Sequence, residues 1–171
     1  MTPVARSLTT ERTRLRQPVA ADLPAYRAHY SSARSIYQGG PYSATNCFEK
    51  LATMIGHWDI RGFGRYVIEV DGHAVGHVGP LQIDDDSIPE LTWSLWTDAA
   101  EGKGYATEAT IGAARHLLHD CDWPLLAILI LPDNAKSLRV ADRLGARLTD
   151  TPAPDWYAGA RVYHLDKAAL A

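Results

Sequence analysis

The chain has 171 residues, 46% of them apolar and 22% charged, with a formal net charge of −3. These figures suit one globular domain over residues 1–171, burying about 70% of its unfolded surface. They exclude a general basic field for nucleic acid and any apolar run near membrane-spanning length, so neither is an expected partner. The opening residues lack the apolar core of a signal peptide, and Cys47 and Cys121 form no paired motif. Together these point to reduced thiols in a cytoplasmic protein.

Taken in order, Leu8–Arg16 reads as an exposed first strand, rich in threonine and arginine and ending before Pro18. Asp22 is placed to start a helix with Leu23, Tyr26 and Tyr30 on one face. Ser35–Tyr42 is a turn-rich aromatic loop. A second helix follows from about Ser43, with Phe48, Leu51, Ala52 and Ile55 at helical spacing, and stops at Gly62-Phe63-Gly64. Strands Arg65–Val70 and His73–Ile83 flank the hairpin signal Asp71-Gly72. A turn at Asp84–Pro89 leads into strand Glu90–Thr97, which alternates Leu91, Trp93 and Leu95 against Thr92, Ser94 and Trp96.

A third helix is expected from Gly104 to about Asp120, with Ala106, Ala109, Ala113 and Leu117 inward. Pro124–Leu131 is a nearly continuous apolar run, as in a strand covered on both faces. Strand, crossover helix and strand imply a right-handed parallel pair. Asn134–Gly145 is a fourth helix, capped by Gly145, and Ala146–Ala153 with Ala160–Leu165 suggests a closing hairpin. Trp58, Trp93 and Trp123 read as core; Trp156 and Tyr157 read as lining a pocket or an interface.

The segment Glu90–Ala106 carries the clearest chemistry. Gly102 and Gly104 bracket Lys103 just before a helix. Glycine lets a backbone approach a ligand closely, and a helix start offers unpaired N–H groups and partial positive charge. That combination suits phosphate or pyrophosphate. The G-x-G-x-x-G pattern fails at Thr107, and the G-x-x-x-x-G-K-S/T pattern is absent.

What fits is Q/R-x-x-G-x-G/A, matched at Gly104 and Ala106, with Glu101 standing where the pattern has Gln or Arg. With IEVDGHAVGHVGPLQID, Glu108-Ala109 and DNAKSLRVADRLGARL in the same order, the chain resembles the GNAT N-acetyltransferases, most closely the RimJ/RimL-like branch. One departure is Ala146 after Gly145, where the family usually has Phe.

The resemblance implies a mixed α/β sheet in the order β-α-α-β-β-β-α-β-α-β-β, with its fourth and fifth strands splayed. It implies acetyl-CoA as donor, with CoA as product. Backbone of Leu95, Trp96 and Thr97 would bond the pantetheine arm, extending the sheet like an added strand. Gly102, Lys103, Gly104, Tyr105 and Ala106 would hold the pyrophosphate, with Thr107 and Asn134 assisting. Glu101 would be unfavourable there unless it points to solvent.

Glu90 matches the family's glutamate and would take the proton of an incoming ammonium, which has no lone pair until deprotonated. Many relatives protonate the thiolate with a tyrosine whose position here is Ala141; Ser137 is the available substitute. His29, Tyr30, Tyr37 and Tyr42 fall where the family shapes its acceptor pocket. The acceptor would be a small-molecule amine or a protein N-terminus, and a homodimer is consistent with the family. A non-catalytic CoA-binding module and a longer-chain acyltransferase are the competing readings.

No metal is expected. His73 and His77 sit roughly 13 Å apart along a strand, His116 and His119 lack a third ligand, and Asp84-Asp85-Asp86 reads as a solvated turn.

Overall fold

The computed structural model describes residues 2–170. Strands β1 (Ser7–Thr9) and β2 (Arg14–Arg16) form a hairpin, which corrects the single strand expected over Leu8–Arg16. The chain reverses at Thr10–Thr13, where Thr10 N–H donates to Thr13 O at 2.9 Å and Thr13 N–H to Thr10 Oγ1 at 3.1 Å. A threonine hydroxyl that captures a nearby backbone N–H competes with a continuous ladder and favours a turn.

Helix α1 (Leu23–Tyr30) begins directly after Asp22, whose carboxylate accepts from Val19 N–H at 2.8 Å and pairs with Arg16 at 2.8 Å. Helix α2 (Ala44–Arg61) starts at Ser43, whose hydroxyl accepts from Asn46 N–H at 3.1 Å. It stops at Gly62, which takes a left-handed φ of 75°. Strands β3 (Tyr66–Val70), β4 (His73–Leu81) and β5 (Glu90–Leu95) run as the expected antiparallel meander.

Helix α3 (Tyr105–Arg115) continues as a π-helical turn over His116–Asp120, where a uniform α-helix was expected. Cys121 N–H reaches back five residues to His116 O at 2.9 Å. Strand β6 (Leu126–Ile130) is buried as its apolar run requires, with Leu126, Ile128 and Ile130 almost inaccessible. Helix α4 (Ala135–Leu144) ends at Gly145, again left-handed. The closing hairpin is shorter than expected. Only Arg147–Leu148, β7, pairs with β8 (Arg161–Leu165). Pro152 and Pro154 follow and offer no N–H to a ladder.

The strands form one mixed sheet in the order β1-β2-β3-β4-β5-β6-β8-β7. Splitting the first strand makes the splayed pair β5 and β6. One sheet face packs Val67 and Trp96 against Tyr26, Tyr30, Leu51 and Met54 of α1 and α2. Elsewhere Leu91 packs with Leu117 and Leu118 after α3 and with Val140 and Leu144 of α4. Deleting such a side chain typically costs about 2–5 kcal/mol.

One break in the sheet organises the site. β5 and β6 run parallel but are in register at a single pair, Glu90 with Ala127. Past it they diverge. Among the described residues, no helix is long and apolar enough to cross a membrane.

Candidate active site

The divergence of β5 and β6 leaves backbone unpaired. Trp96 N–H is already bonded to Val75 O of β4 at 2.7 Å. In an antiparallel ladder, alternate residues turn their backbone groups to opposite sides. The groups of Trp93 and Leu95 therefore face the gap, and Trp93 belongs with the strand atoms that a ligand would meet. Of the three residues expected to offer backbone there, Leu95 borders the gap. Trp96 is buried and spends its N–H on β4, and Thr97 accepts from Ala100 N–H at 3.2 Å. Trp93, expected in the core, packs against it but is only half-buried and also lines the gap.

The mouth of the gap is the start of α3. Gly102 and Gly104 have φ of 72° and 83°, a conformation in which glycine carries no Cβ penalty. The loop is clamped from behind. Glu108 accepts from Thr10 Oγ1 at 2.6 Å, Arg12 N–H at 2.6 Å and Arg12 Nε at 2.7 Å, while Arg12 Nη1 donates to Lys103 O at 2.9 Å. The β1–β2 hairpin thus fixes the loop whose amides open α3. Gly102, Gly104, Ala106 and Thr107 line a cavity of about 950 Å³; Lys103 and Tyr105 do not. Arg12 lies 4.9 Å over the Tyr105 ring instead.

That cavity contains four cations, Arg34, Lys136, Arg139 and Arg143, against Asp98, Glu101 and Asp133. Glu101 is bracketed by two of them. Arg34 Nη2 reaches its Oε1 at 2.6 Å, and Lys136 Nζ pairs with its other oxygen. The Lys136 hydrogen bond, helped by Arg34, holds the Glu101 carboxyl below its ordinary pKa, so it stays ionised. Glu101, left open by the sequence between facing the phosphates and pointing to solvent, is held in this clasp at the cavity wall. Arg34 also donates to Trp96 O at 3.0 Å and touches Leu95 O at 3.5 Å.

A second cavity of about 530 Å³ adjoins the first, and Tyr37, Gln38, Trp93, Asn134 and Ser137 line both. Glu90 lies in its wall. Burial pushes the Glu90 carboxyl up to about 7, with Arg65 opposing weakly. A base of that pKa is half ionised near neutral pH, which suits proton transfer.

The family profile described as acetyltransferase (GNAT) domain matches residues 12–147. The chain belongs to the GNAT acetyltransferase family. An acetyltransferase from Agrobacterium tumefaciens is 32% identical over 95% of each chain, with a TM-score of 0.87. RimJ of Mycobacterium smegmatis, in complex with CoA-disulfide, shares the fold at 15% identity and a TM-score of 0.73, over 92% of this chain and 83% of its own. So does a Salmonella typhimurium acetyl transferase that modifies the N-terminal serine of a 50S ribosomal subunit protein. It is 17% identical over 91% and 94% of the two chains, with a TM-score of 0.74.

In this GNAT chain, Tyr30, Tyr37 and Tyr42 share the Glu90 cavity, while His29 lines the other. His29 bonds Ser94 Oγ at 3.2 Å, and burial lowers its pKa. Burial likewise raises the Tyr30 pKa well above that of a free phenol, so it remains neutral. Asn134 caps α4, accepting from Ser137 N–H at 3.2 Å. Ala141 packs in the core. A tyrosine reaches the Glu90 cavity from elsewhere: Tyr157, between β7 and β8, donates from its hydroxyl to Tyr37 O at 2.6 Å. Among the described residues, no three His, Cys, Asp or Glu side chains gather as a metal site.

Sequence reasoning missed the cations of this acetyltransferase. Lys136, Arg139 and Arg143 recur at three- and four-residue spacing, one helix face, so the signal was present once α4 was placed. Arg34 and Arg65 carried no such signal.

Proposed function

We propose that the chain transfers an acetyl group from acetyl-CoA to a primary amine by direct attack. The observation that carries this reading is Glu90, a carboxyl of pKa about 7 at the point where two strands part. It faces a cavity that adjoins the glycine-loop cavity.

The residues present fit CoA. The exposed groups of Trp93 and Leu95 would bond amides of the pantetheine arm as a neighbouring strand would. The backbone of Gly102 to Ala106, with Thr107, would hold the pyrophosphate at the start of α3. Lys136, Arg139, Arg143 and Lys103 would add positive charge, and Asn134 would hold the loop before α4. Arg34 would have to leave the carbonyls of Leu95 and Trp96 to admit the arm. When bound, the cofactor supplies the acetyl group as an activated thioester.

Glu90 would take the ammonium proton directly or through water. Ser137 lines both cavities and would donate a hydrogen bond to the departing thiolate, relaying to it a proton taken up from solvent. His29, Tyr30, Tyr37 and Tyr42 would shape the acceptor side. A small-molecule amine and a protein N-terminus both satisfy this chemistry.

The test is release of free thiol from acetyl-CoA across a panel of amines, with mass detection of acetylated product. Amine-dependent thiol release supports the reading. Tight CoA binding without turnover on any amine would favour a binding module, and faster turnover with longer acyl-CoA would change the donor.

A further inference from the structure

Four arginines among the described residues are half-buried: Arg16, Arg34, Arg61 and Arg65. The first three each pair with a carboxylate: Arg16 with Asp22 and Glu69, Arg34 with Asp98 and Glu101, Arg61 with Asp85. Arg65 alone forms no ion pair among the described residues. A partly desolvated guanidinium without a counter-charge is unfavourable, because hydration is lost and nothing replaces it.

Arg65 lines the acceptor cavity. Its charge acts on four groups around that space, lowering the pKa values of Tyr26, Tyr30, His77 and Glu90 against or alongside the effect of burial. Lys50 lines the same cavity, held 4.4 Å over the Tyr42 ring and likewise without an ion pair. Against these two cations the wall carries one carboxyl, Glu90. Tyr26 and Tyr30 keep their protons, and burial keeps His77 neutral. A pocket for a plain amine would need negative charge alone. This one separates a carboxyl from two cations.

We infer that the acceptor is a small zwitterion of amino-acid type, whose amine meets Glu90 and whose carboxylate pairs with Arg65, with Lys50 adding to the field. A guanidinium suits this role because its planar fork matches a carboxylate with two parallel hydrogen bonds. The cavity of about 530 Å³ has room for a molecule of that size. This inference rests on the acetyl-transfer reading for the role of Glu90, but the Arg65 pairing is testable without it.

The experiment compares free L-amino acids with their carboxamides, which keep the amine and lose the negative charge. With acetyl-CoA, the free acids should show kcat/KM about 10–100-fold above their amides, the range of a charged hydrogen bond converted to a ratio. Arg65→Gln should collapse that ratio towards one, and Arg65→Lys should restore part of it. Equal use of acids and amides by the wild-type protein would overturn the inference while leaving acetyl transfer intact. So would preferential turnover of peptides with an uncharged first residue over free amino acids.

If no acceptor releases thiol, the transfer reading fails and calorimetric titration with the same pairs decides the Arg65 question. Binding of acids but not amides, lost in Arg65→Gln and recovered in Arg65→Lys, sustains it. No difference between acids and amides overturns it. The wild-type comparison stands even where a variant fails to fold.

Discussion

Glu90 and Ala127 are the one residue pair that β5 and β6 hold in register. Ala127 N–H donates to Pro89 O at 3.0 Å, and past this point the two strands have separate neighbours. The candidate base therefore sits at the apex of the gap, where the sheet still fixes its backbone and the cavity already surrounds its side chain. A carboxyl so placed loses water without gaining a cationic partner at bonding distance, which is why its pKa rises.

Glu90→Gln should lower kcat/KM for the amine by about 10²–10⁴-fold, the usual worth of a general base. Acetyl-CoA affinity should be nearly unchanged. The wild-type rate should climb with pH through about 7, and the variant should lose that step. Steady-state kinetics from pH 5.5 to 9 with a calorimetric CoA titration check this. A fall under threefold with the step intact would remove Glu90 from the chemistry.

The same variant should be more stable than wild type in alkali. The Glu90 pKa is raised from 4.5 to about 7 on folding. Its stabilising contribution is therefore complete below the unfolded value and lost as pH rises through about 7. Glu90→Gln cannot ionise, so it should match wild type near pH 4 and exceed it at pH 8 by up to about 3 kcal/mol. Urea unfolding at the two pH values measures the difference. Equal stabilities at pH 8 would mean that Glu90 is well solvated.

Glu101→Gln should tighten CoA binding at low ionic strength, by under about tenfold, because it frees Arg34 and Lys136 from their shared carboxylate. The gain should shrink in high salt, as exposed charges are screened. Binding isotherms at two salt concentrations suffice. A dissociation constant unchanged at low salt would show that neither the carboxylate nor its partners reach the phosphates.

Gly104→Val should abolish CoA binding. The left-handed φ of 83° is costly for a branched side chain, roughly 1–2 kcal/mol, and the added Cβ would lie 3.3 Å from Arg12 Nη2. The helix start would have to shift. Retained binding, with the fold verified by circular dichroism, would place the pyrophosphate elsewhere.

Glu108→Ala should weaken CoA binding and lower stability by about 1–3 kcal/mol, since Thr10 and Arg12 would lose the acceptor that ties their hairpin to the loop. Thermal melts with and without CoA test it. An unaltered CoA-induced shift would mean that the loop holds its shape without the hairpin.

The sequence by itself determined most of the elements and their order, though not the split of the first strand into β1 and β2. Apolar spacing marked α2, α3 and α4, alternation marked β3 to β5, and an unbroken apolar run marked β6, because burial acts on periods of two and 3.6 residues. The glycine pair before α3 was legible because a left-handed backbone leaves a compositional trace. The resemblance to the GNAT family singled out Glu90, which matches the family's glutamate at the head of this strand. Only the tertiary structure decided the charges. Arg34 and Glu101 are 67 residues apart, and Lys136 and Glu101 are 35 apart; no local period records such a meeting. Alternation put Trp93 on a sheet face but could not show that the next strand peels away beside it. Arg65 looked like the first residue of a strand until the fold set it in a cavity wall, with Glu90 in the same wall but no ion pair among the described residues. Partners brought together by topology are selected through distance and dielectric in three dimensions, and neither quantity is written in the order of neighbouring residues.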